Sequence, residues 1–210
     1  MRWTLIALLP LFLQSPPPAN LPPAYPRAGA TKILDNARVQ VWNIAWLKGQ
    51  PSPLHRHIYD LIGLYYEPGD RMIISPEGEK RPVSTKAGQP IFQQRGVTHI
   101  EEGTSDKPLR AVFVELKDAA PSGKVARPGE GDPPPLANVG IKQLLDCERG
   151  TIWAYSYGLG PDGPRHTHTR DAVVMWIVDD KVNVEWVPAG TKHSEEQIGV
   201  INEATIFELK

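Results

Sequence analysis

The 210-residue sequence has one cysteine, Cys147. That excludes an internal disulfide and any zinc site built on paired thiolates, so a metal would have to be held by histidine and oxygen ligands. Charge of one sign is also lacking. Lys and Arg total 23 against 24 Asp and Glu, a formal net charge of −1. The basic excess on which nucleic-acid binding draws is therefore missing, and nucleic acid is not expected as a partner. No nucleophile elbow, phosphate loop or dinucleotide fingerprint occurs. No window of useful length repeats its apolar residues at i, i+3, i+4 and i+7, so amphipathic helices are not expected.

Long hydrophobic runs are missing too. The one apolar stretch, Thr4 to Leu13 after Arg2, carries Pro10 and falls short of the ~20 residues of a membrane span. It has the form of a secretory signal, which implies secretion, with a bacterial periplasm suited to a chain without disulfides. Two cleavage sites compete. Ala28-Gly29-Ala30 has the small-x-small form but lies far from the apolar run, and Ala19 is closer but sits among prolines. The bland alternative is a disordered or interfacial tail. Gln14–Ala30 is dense in proline (Pro16–Pro18, Pro22, Pro23, Pro26) and reads as an extended leader. The leader thus spans residues 1–30, and folded chain is expected from about Thr31.

What is present is turn chemistry. Twenty-two prolines and 18 glycines punctuate short runs of β-branched and aromatic residues. Strands are expected over Val39–Trp46, Leu54–Tyr66, Arg71–Ile74, Arg81–Thr85, Pro90–Gln93 and Leu109–Leu116. Turns fall at Lys48–Pro53, Pro68–Asp70 and Pro76–Glu79. Asp118–Pro135 is polar and rich in proline and glycine, and reads as a linker reaching to about residue 137. Short strands so punctuated predict a sandwich or a barrel.

The six histidines are the most ordered feature of the sequence. Four lie in His55-x-His57-x-x-Asp60 and His166-x-His168-x-x-Asp171; His99 and His193 complete two Gly-x-x-His segments, Gly96–His99 and Gly190–His193. Leu34, Asp35, Arg38, Trp42, Gly49, Pro53, His55, His57 and Asp60 recur at one constant spacing as Leu145, Asp146, Arg149, Trp153, Gly160, Pro164, His166, His168 and Asp171. A shortened second half, lacking the counterpart of Pro68–Lys86, then brings Gly190 and His193 into line. The halves close on Glu115-Leu116-Lys117 and Glu208-Leu209-Lys210. An internal duplication is expected.

Residues i and i+2 of a strand share a face, so each HxH pair projects together. A third imidazole from a neighbouring strand completes a set that suits Fe, Zn, Mn, Ni or Cu, with coordination positions left for water or substrate. Strand alternation puts Asp60 opposite His57. Its carboxylate, like that of Asp171, is expected to accept from a backbone or imidazole N–H as a support rather than to ligate. Glu101, Glu102, Glu195 and Glu196 read as rim charges. Arg56 and Arg170 read as solvated, and Arg95 reads as a surface residue, with binding of an anionic substrate near His99 as the alternative. Tyr59, Tyr65, Tyr66, Trp176 and Trp186 read as core, and Cys147 as inert.

At this point the residues resemble a family. Gly49-(x)5-His55-x-His57 and Gly160-(x)5-His166-x-His168 resemble the start of the first motif of the cupin superfamily. Pro188-Ala189-Gly190-Thr191-Lys192-His193 resembles its second motif, with Gln197 in the place of asparagine; Gln94–His99 lacks the proline. The carboxylate ligand of that family's first motif is absent in both halves. A three-histidine site is similar to the thiol dioxygenase branch, although nothing marks a thiol substrate. The resemblance implies an all-β chain of two tandem double-stranded β-helix (jelly-roll) barrels, residues 31–117 and 138–210, packed on each other or on a second copy in a homodimer. It leaves three readings open: a metal-dependent enzyme with oxygenase-like or Lewis-acid chemistry on a small molecule, a non-catalytic module binding a small ligand or metal, and a scaffold without metal. Catalytic residues and the active barrel are left unassigned.

Overall fold

The protein is described by a computed structural model. It covers residues 20–119, 139–157, 165–194 and 203–210. The signal-like stretch, most of the linker, Gly160, Pro164, Glu195, Glu196 and Gln197 lie outside the described residues.

All elements among the described residues are strands. The first barrel comprises β1 (Ala30–Asp35), β2 (Val39–Trp46), β3 (His55–Arg56), β4 (Asp60–Glu67), β5 (Gly69–Ile74), β6 (Lys80–Thr85), β7 (Gln89–Gln93), β8 (Thr98–Gly103) and β9 (Leu109–Leu116). The second comprises β10 (Val139–Asp146), β11 (Gly150–Tyr157), β12 (His166–Thr167), β13 (Ala172–Val178), β14 (Lys181–Val187), β15 (Lys192–His193) and β16 (Glu203–Leu209). Large sheets of order β1-β2-β9-β4-β7 and β10-β11-β16-β13-β14 correspond strand for strand. Each is opposed by a smaller sheet, β3-β8-β5-β6 in the first barrel and β12-β15 in the second. The chain is thus a tandem of two jelly-roll barrels.

Alternation along the strands sorts the side chains into three cores. Trp42, Ile44 and Trp46 of β2, with Leu61, Tyr65, Leu109, Ala111 and Phe113, fill the first barrel. Trp153, Tyr155, Val174, Trp176 and Ile206 fill the second. The opposite faces of the large sheets meet each other. Val39, Val41, Ile62, Leu64, Val112 and Val114 pack on Ile152, Val173, Met175, Phe207 and Leu209. Both faces of each large sheet are therefore dry, which explains why β4, DLIGLYYE, reads as a continuous apolar run rather than an alternating one. At about 1.5–3 kcal/mol per buried aliphatic or aromatic side chain, this shared core binds the barrels firmly together.

Two expectations differ from the structure. Leu54–Tyr66 is not one strand: the chain pairs only at His55–Arg56, breaks, and resumes at Asp60 in the other sheet. The break is the corner where the chain leaves the small sheet, so alternation cannot be carried across it; Asp60 nonetheless shares the face of Ile62 and Leu64, turned toward the other barrel and away from the interior that His57 enters. Packing also begins before Thr31. Ala24 and Tyr25 belong to the first barrel's core, and Pro22 O accepts from Arg56 N at 3.0 Å. A proline-rich segment is extended, but an extended segment can be pinned by one buried aromatic ring.

Candidate metal centre

Two histidine triads converge, one per barrel. In the β3–β8 ladder His55 stands directly opposite His99, and in the β12–β15 ladder His166 stands opposite His193. Opposed residues share a face. His57 and His168 follow two residues after the first histidine and turn to the same space. Within each triad one ring nitrogen from each histidine lies within 4.8 Å of the others, and all six rings are buried. His57 Nε2 and His99 Nε2 are 3.3 Å apart, as are His166 Nε2 and His168 Nε2 at 3.2 Å. Two ligands ~2.1 Å from one ion at 90–110° stand ~3.0–3.4 Å apart, so the spacing fits a shared cation.

The free lone pairs also fit. His55 Nδ1 donates to Pro53 O at 3.0 Å, which leaves Nε2 as a bare acceptor. That atom is buried and has no hydrogen-bond partner. In the second barrel His168 Nδ1 donates to the buried Glu208 Oε1 at 2.9 Å. Its Nε2 lone pair therefore faces His166. Ring orientation by a second bond of this kind is what metal-binding imidazoles need. Burial, with some help from neighbouring imidazoles, holds His57 down at about 3. Burial likewise holds His99 at about 4 and lowers His55. The first triad is therefore neutral at pH 7, the state that ligates.

Asp60 and Asp171 bond the loops that carry the third histidines. Asp60 Oδ1 accepts from Arg95 N at 2.8 Å, and Asp171 Oδ1 accepts from Ala189 N at 2.9 Å. Each second oxygen takes an arginine of the other barrel. Arg149 Nη1 donates to Asp60 Oδ2 at 2.6 Å, and Arg38 Nε donates to Asp171 Oδ2 at 3.0 Å.

Several residues at the centres were not singled out from the sequence. Glu115 and Glu208 accept from Trp42 Nε1 and Trp153 Nε1, both at 2.9 Å. The closing Glu-Leu-Lys of each half was the signal for them. Glu101 is no rim charge. It lies inside the first barrel, two residues after His99 on the same strand, and its exposure is 5%. Burial opposes its charge, yet Arg71, His99 and Arg27 outweigh burial and hold it at about 2. Arg56 is exposed as expected. It lines a recess of about 680 Å³ beside His57, together with Asn20, Pro22, Ile58 and Arg95. Among the described residues no helix is long and apolar enough to cross a membrane.

Paired jelly-roll barrels, each carrying its HxH and distant histidine on facing strands, define the class: the chain belongs to the cupin superfamily. Over 92 residues it is 32% identical to the beta-alanine degradation protein BauB of Pseudomonas aeruginosa, which covers 44% of this chain and 96% of that protein. Among solved structures it is similar to a cupin domain from Bordetella pertussis (26% identity, TM-score 0.39, 48% of this chain and 99% of that one). It is also similar to a cupin 2 conserved barrel domain protein from Leptotrichia buccalis (16% identity, TM-score 0.44, 93% of this chain and 86% of that one). No protein-family model matches the chain.

Proposed function

We propose that the protein is a metal-dependent enzyme acting on a small molecule, with the chemistry in the first barrel. The observation that carries this reading is the convergence of His55, His57 and His99, with His55 Nε2 buried and lacking a hydrogen-bond partner. These three residues would hold a divalent transition ion (Fe, Zn, Mn, Ni or Cu), and His166, His168 and His193 would hold a second. A three-imidazole set leaves coordination positions for an oxygen-bearing ligand, and the bound ion would supply Lewis-acid or redox chemistry there. The protein's own residues position and dry the centre. Pro53 and Ser52 hold His55, which lies 3.0 and 3.3 Å from their acceptor oxygens. Asp60 anchors the loop ahead of His99. Tyr25 covers the imidazoles, its ring 6.2 Å from His57 and stacked on Trp42 at 5.0 Å. The recess beside His57 supports access to the first barrel. Similarity to a protein named for β-alanine degradation supports a small-molecule role.

Elemental analysis of protein purified without chelators tests this. We expect two equivalents of transition metal, with one lost in His57→Ala and the other in His168→Ala. Metal-free protein from the native host would sink the proposal. Full metal with no turnover in an oxidation and hydrolysis screen would instead favour a non-catalytic binding module. We further propose that the two halves arose by duplication, which the matched strand order supports, and that the protein is exported.

A further inference from the structure

Around two buried arginines the interior of the first barrel holds more positive charge than their neighbours neutralise, since its other buried carboxylate, Glu115, is engaged by the Trp42 indole rather than by either arginine. Arg27 and Arg71 both enter it, with side-chain exposures of 6% and 7%, and Glu101 is the carboxylate they share. Arg27 Nη2 donates to Glu101 Oε2 at a long 3.3 Å. Arg71 Nε stays 3.6 Å from Oε1, outside hydrogen-bond reach. Two guanidinium cations face one carboxylate in a site closed to water. Were Glu101 protonated, the excess would be larger, so the imbalance does not depend on its titration. An unpaired buried cation is costly, and such groups persist where something pairs with them.

Hydrogen bonding repeats the imbalance. Arg27 Nε and Arg71 Nε and Nη1 are buried without an acceptor. So is the Tyr25 hydroxyl, while the Tyr65 hydroxyl lies against Arg71 and the Trp46 indole N–H against Glu101, neither closing a well-formed hydrogen bond. The guanidinium groups are held in place by stacking. Arg71 Cζ lies 5.0 Å from the centroids of both Trp46 and Tyr65, and Arg27 Cζ lies 5.3 Å from Trp46 and 5.7 Å from Tyr25. Aromatic faces steady a cation but accept no hydrogen bond along the N–H direction. Water could take these protons but would leave the charge. The complement of fixed planar donors around an excess cation is a small anion with several acceptor oxygens, and a carboxylate matches a guanidinium edge best.

The cluster is particular to the first barrel. Arg71 comes from β5, in the β5–β6 hairpin that has no counterpart among the described residues of the second barrel. Arg27 comes from the segment ahead of β1. Glu101 sits two residues beyond His99 on β8, so the cluster adjoins the histidine triad along one strand.

We propose that Arg27 and Arg71, assisted by Tyr25, Tyr65 and Trp46, form a binding site for the carboxylate of a small organic acid. Its position beside the three imidazoles makes this acid the substrate class of the proposed enzyme, a step that rests on the reading above. The anion site itself does not.

Titration of the full-length protein with propionate, propionamide and inorganic phosphate tests it. Each is added to chelator-treated and to metal-loaded protein and followed by tryptophan fluorescence and melting temperature. Propionate is expected to bind and raise the melting temperature in both forms, with propionamide inert and phosphate weaker. Arg71→Met should weaken propionate at least 10-fold. Glu101→Gln, which removes the competing carboxylate, should tighten it several-fold, an effect no merely structural role would give. If Arg71→Met does not fold, Arg71→Lys and the direction of the Glu101→Gln effect decide. Equal binding of propionate and propionamide overturns the proposal, as does tighter binding of phosphate. Propionate that binds only the metal-loaded protein and is untouched by Arg71→Met also overturns it, leaving the metal centre intact. Arg71-dependent propionate binding in a protein that never holds metal upholds the anion site and removes the enzyme reading.

Discussion

Arg149 of the second barrel donates to Asp60 of the first, Nη1 to Oδ2 at 2.6 Å. Its counterpart runs the other way, from Arg38 to Asp171 at 3.0 Å. In each case the other carboxylate oxygen holds the loop that leads to the third histidine of its own barrel. Each centre is therefore braced by an arginine of the opposite barrel. Arg149→Met should weaken metal binding by His55, His57 and His99 by about 10–100-fold and spare the second site, and Arg38→Met should do the reverse. Competition titrations against a metal indicator, with the other triad disabled, read this out. The stability costs should differ as well. The Arg38–Asp171 side chains are 9% and 0% exposed, so removing Arg38 takes the cross-barrel charge partner from a buried carboxylate, at about 3–5 kcal/mol. Arg149 is 23% exposed, so water can take over part of its role and Arg149→Met should cost less.

The shared apolar core makes one folding unit of the two barrels. Ile62, Val112 and Val114 on one side and Val173 and Phe207 on the other are fully buried. Phe207→Ala should cost about 3–5 kcal/mol. Because the cavity opens between barrels rather than inside one, calorimetry should still show a single transition, displaced to lower temperature. Two separate transitions, with only the second barrel's displaced, would refute the coupling.

Glu208 and Glu115 occupy corresponding positions but are used differently. Glu208 bonds both Trp153 and His168. Glu115 bonds Trp42, whereas His57 Nδ1 has no hydrogen-bond partner. Glu208→Gln keeps the size but turns one acceptor into a donor, so the second centre should lose about 10–100-fold in metal affinity. Glu115→Gln should leave the first centre's affinity nearly unchanged. Equal losses at the two sites would show that the pairing at Glu208 does not tune its imidazole.

The parts of this site that were legible in the sequence are those governed by short-range geometry. HxH parity, a matched third histidine and the lack of any other histidine were enough to assemble both triads. Val39–Trp46 and Leu109–Leu116 were readable as strands to the residue. Long-range pairing was not readable. Arg38 and Arg149 recur visibly, but nothing local says that each reaches across to the other half. Glu101 shows two signals in conflict. Its spacing from His99 puts it inside, its charge argues for the rim, and the two arginines that reverse that argument lie 30 and 74 residues away in sequence. Arg71 enters through a hairpin whose sequence looks like an ordinary surface insertion.

The buried Tyr25 and Arg27 bear on where an exported chain is cut. Cleavage after Ala28-Gly29-Ala30 would remove Tyr25, which is 5% exposed and stacked on Trp42. It would also remove Arg27, the hydrogen-bond partner of Glu101. The first barrel would then lose a large aromatic ring from its core, at about 3–5 kcal/mol for a cavity of that kind. Glu101 would also be left with a single arginine. Cleavage at Ala19 leaves the whole packed segment in place, since Leu21 and Pro22 still line the recess and Pro22 O still holds Arg56 N. N-terminal sequencing of protein recovered from the periplasmic fraction of its host is therefore expected to begin at or before Asn20. A mature chain beginning at Thr31 would contradict both the packing of this segment and the part given to Arg27 in the anion site. A version cut there by design should melt well below the chain that starts at Asn20.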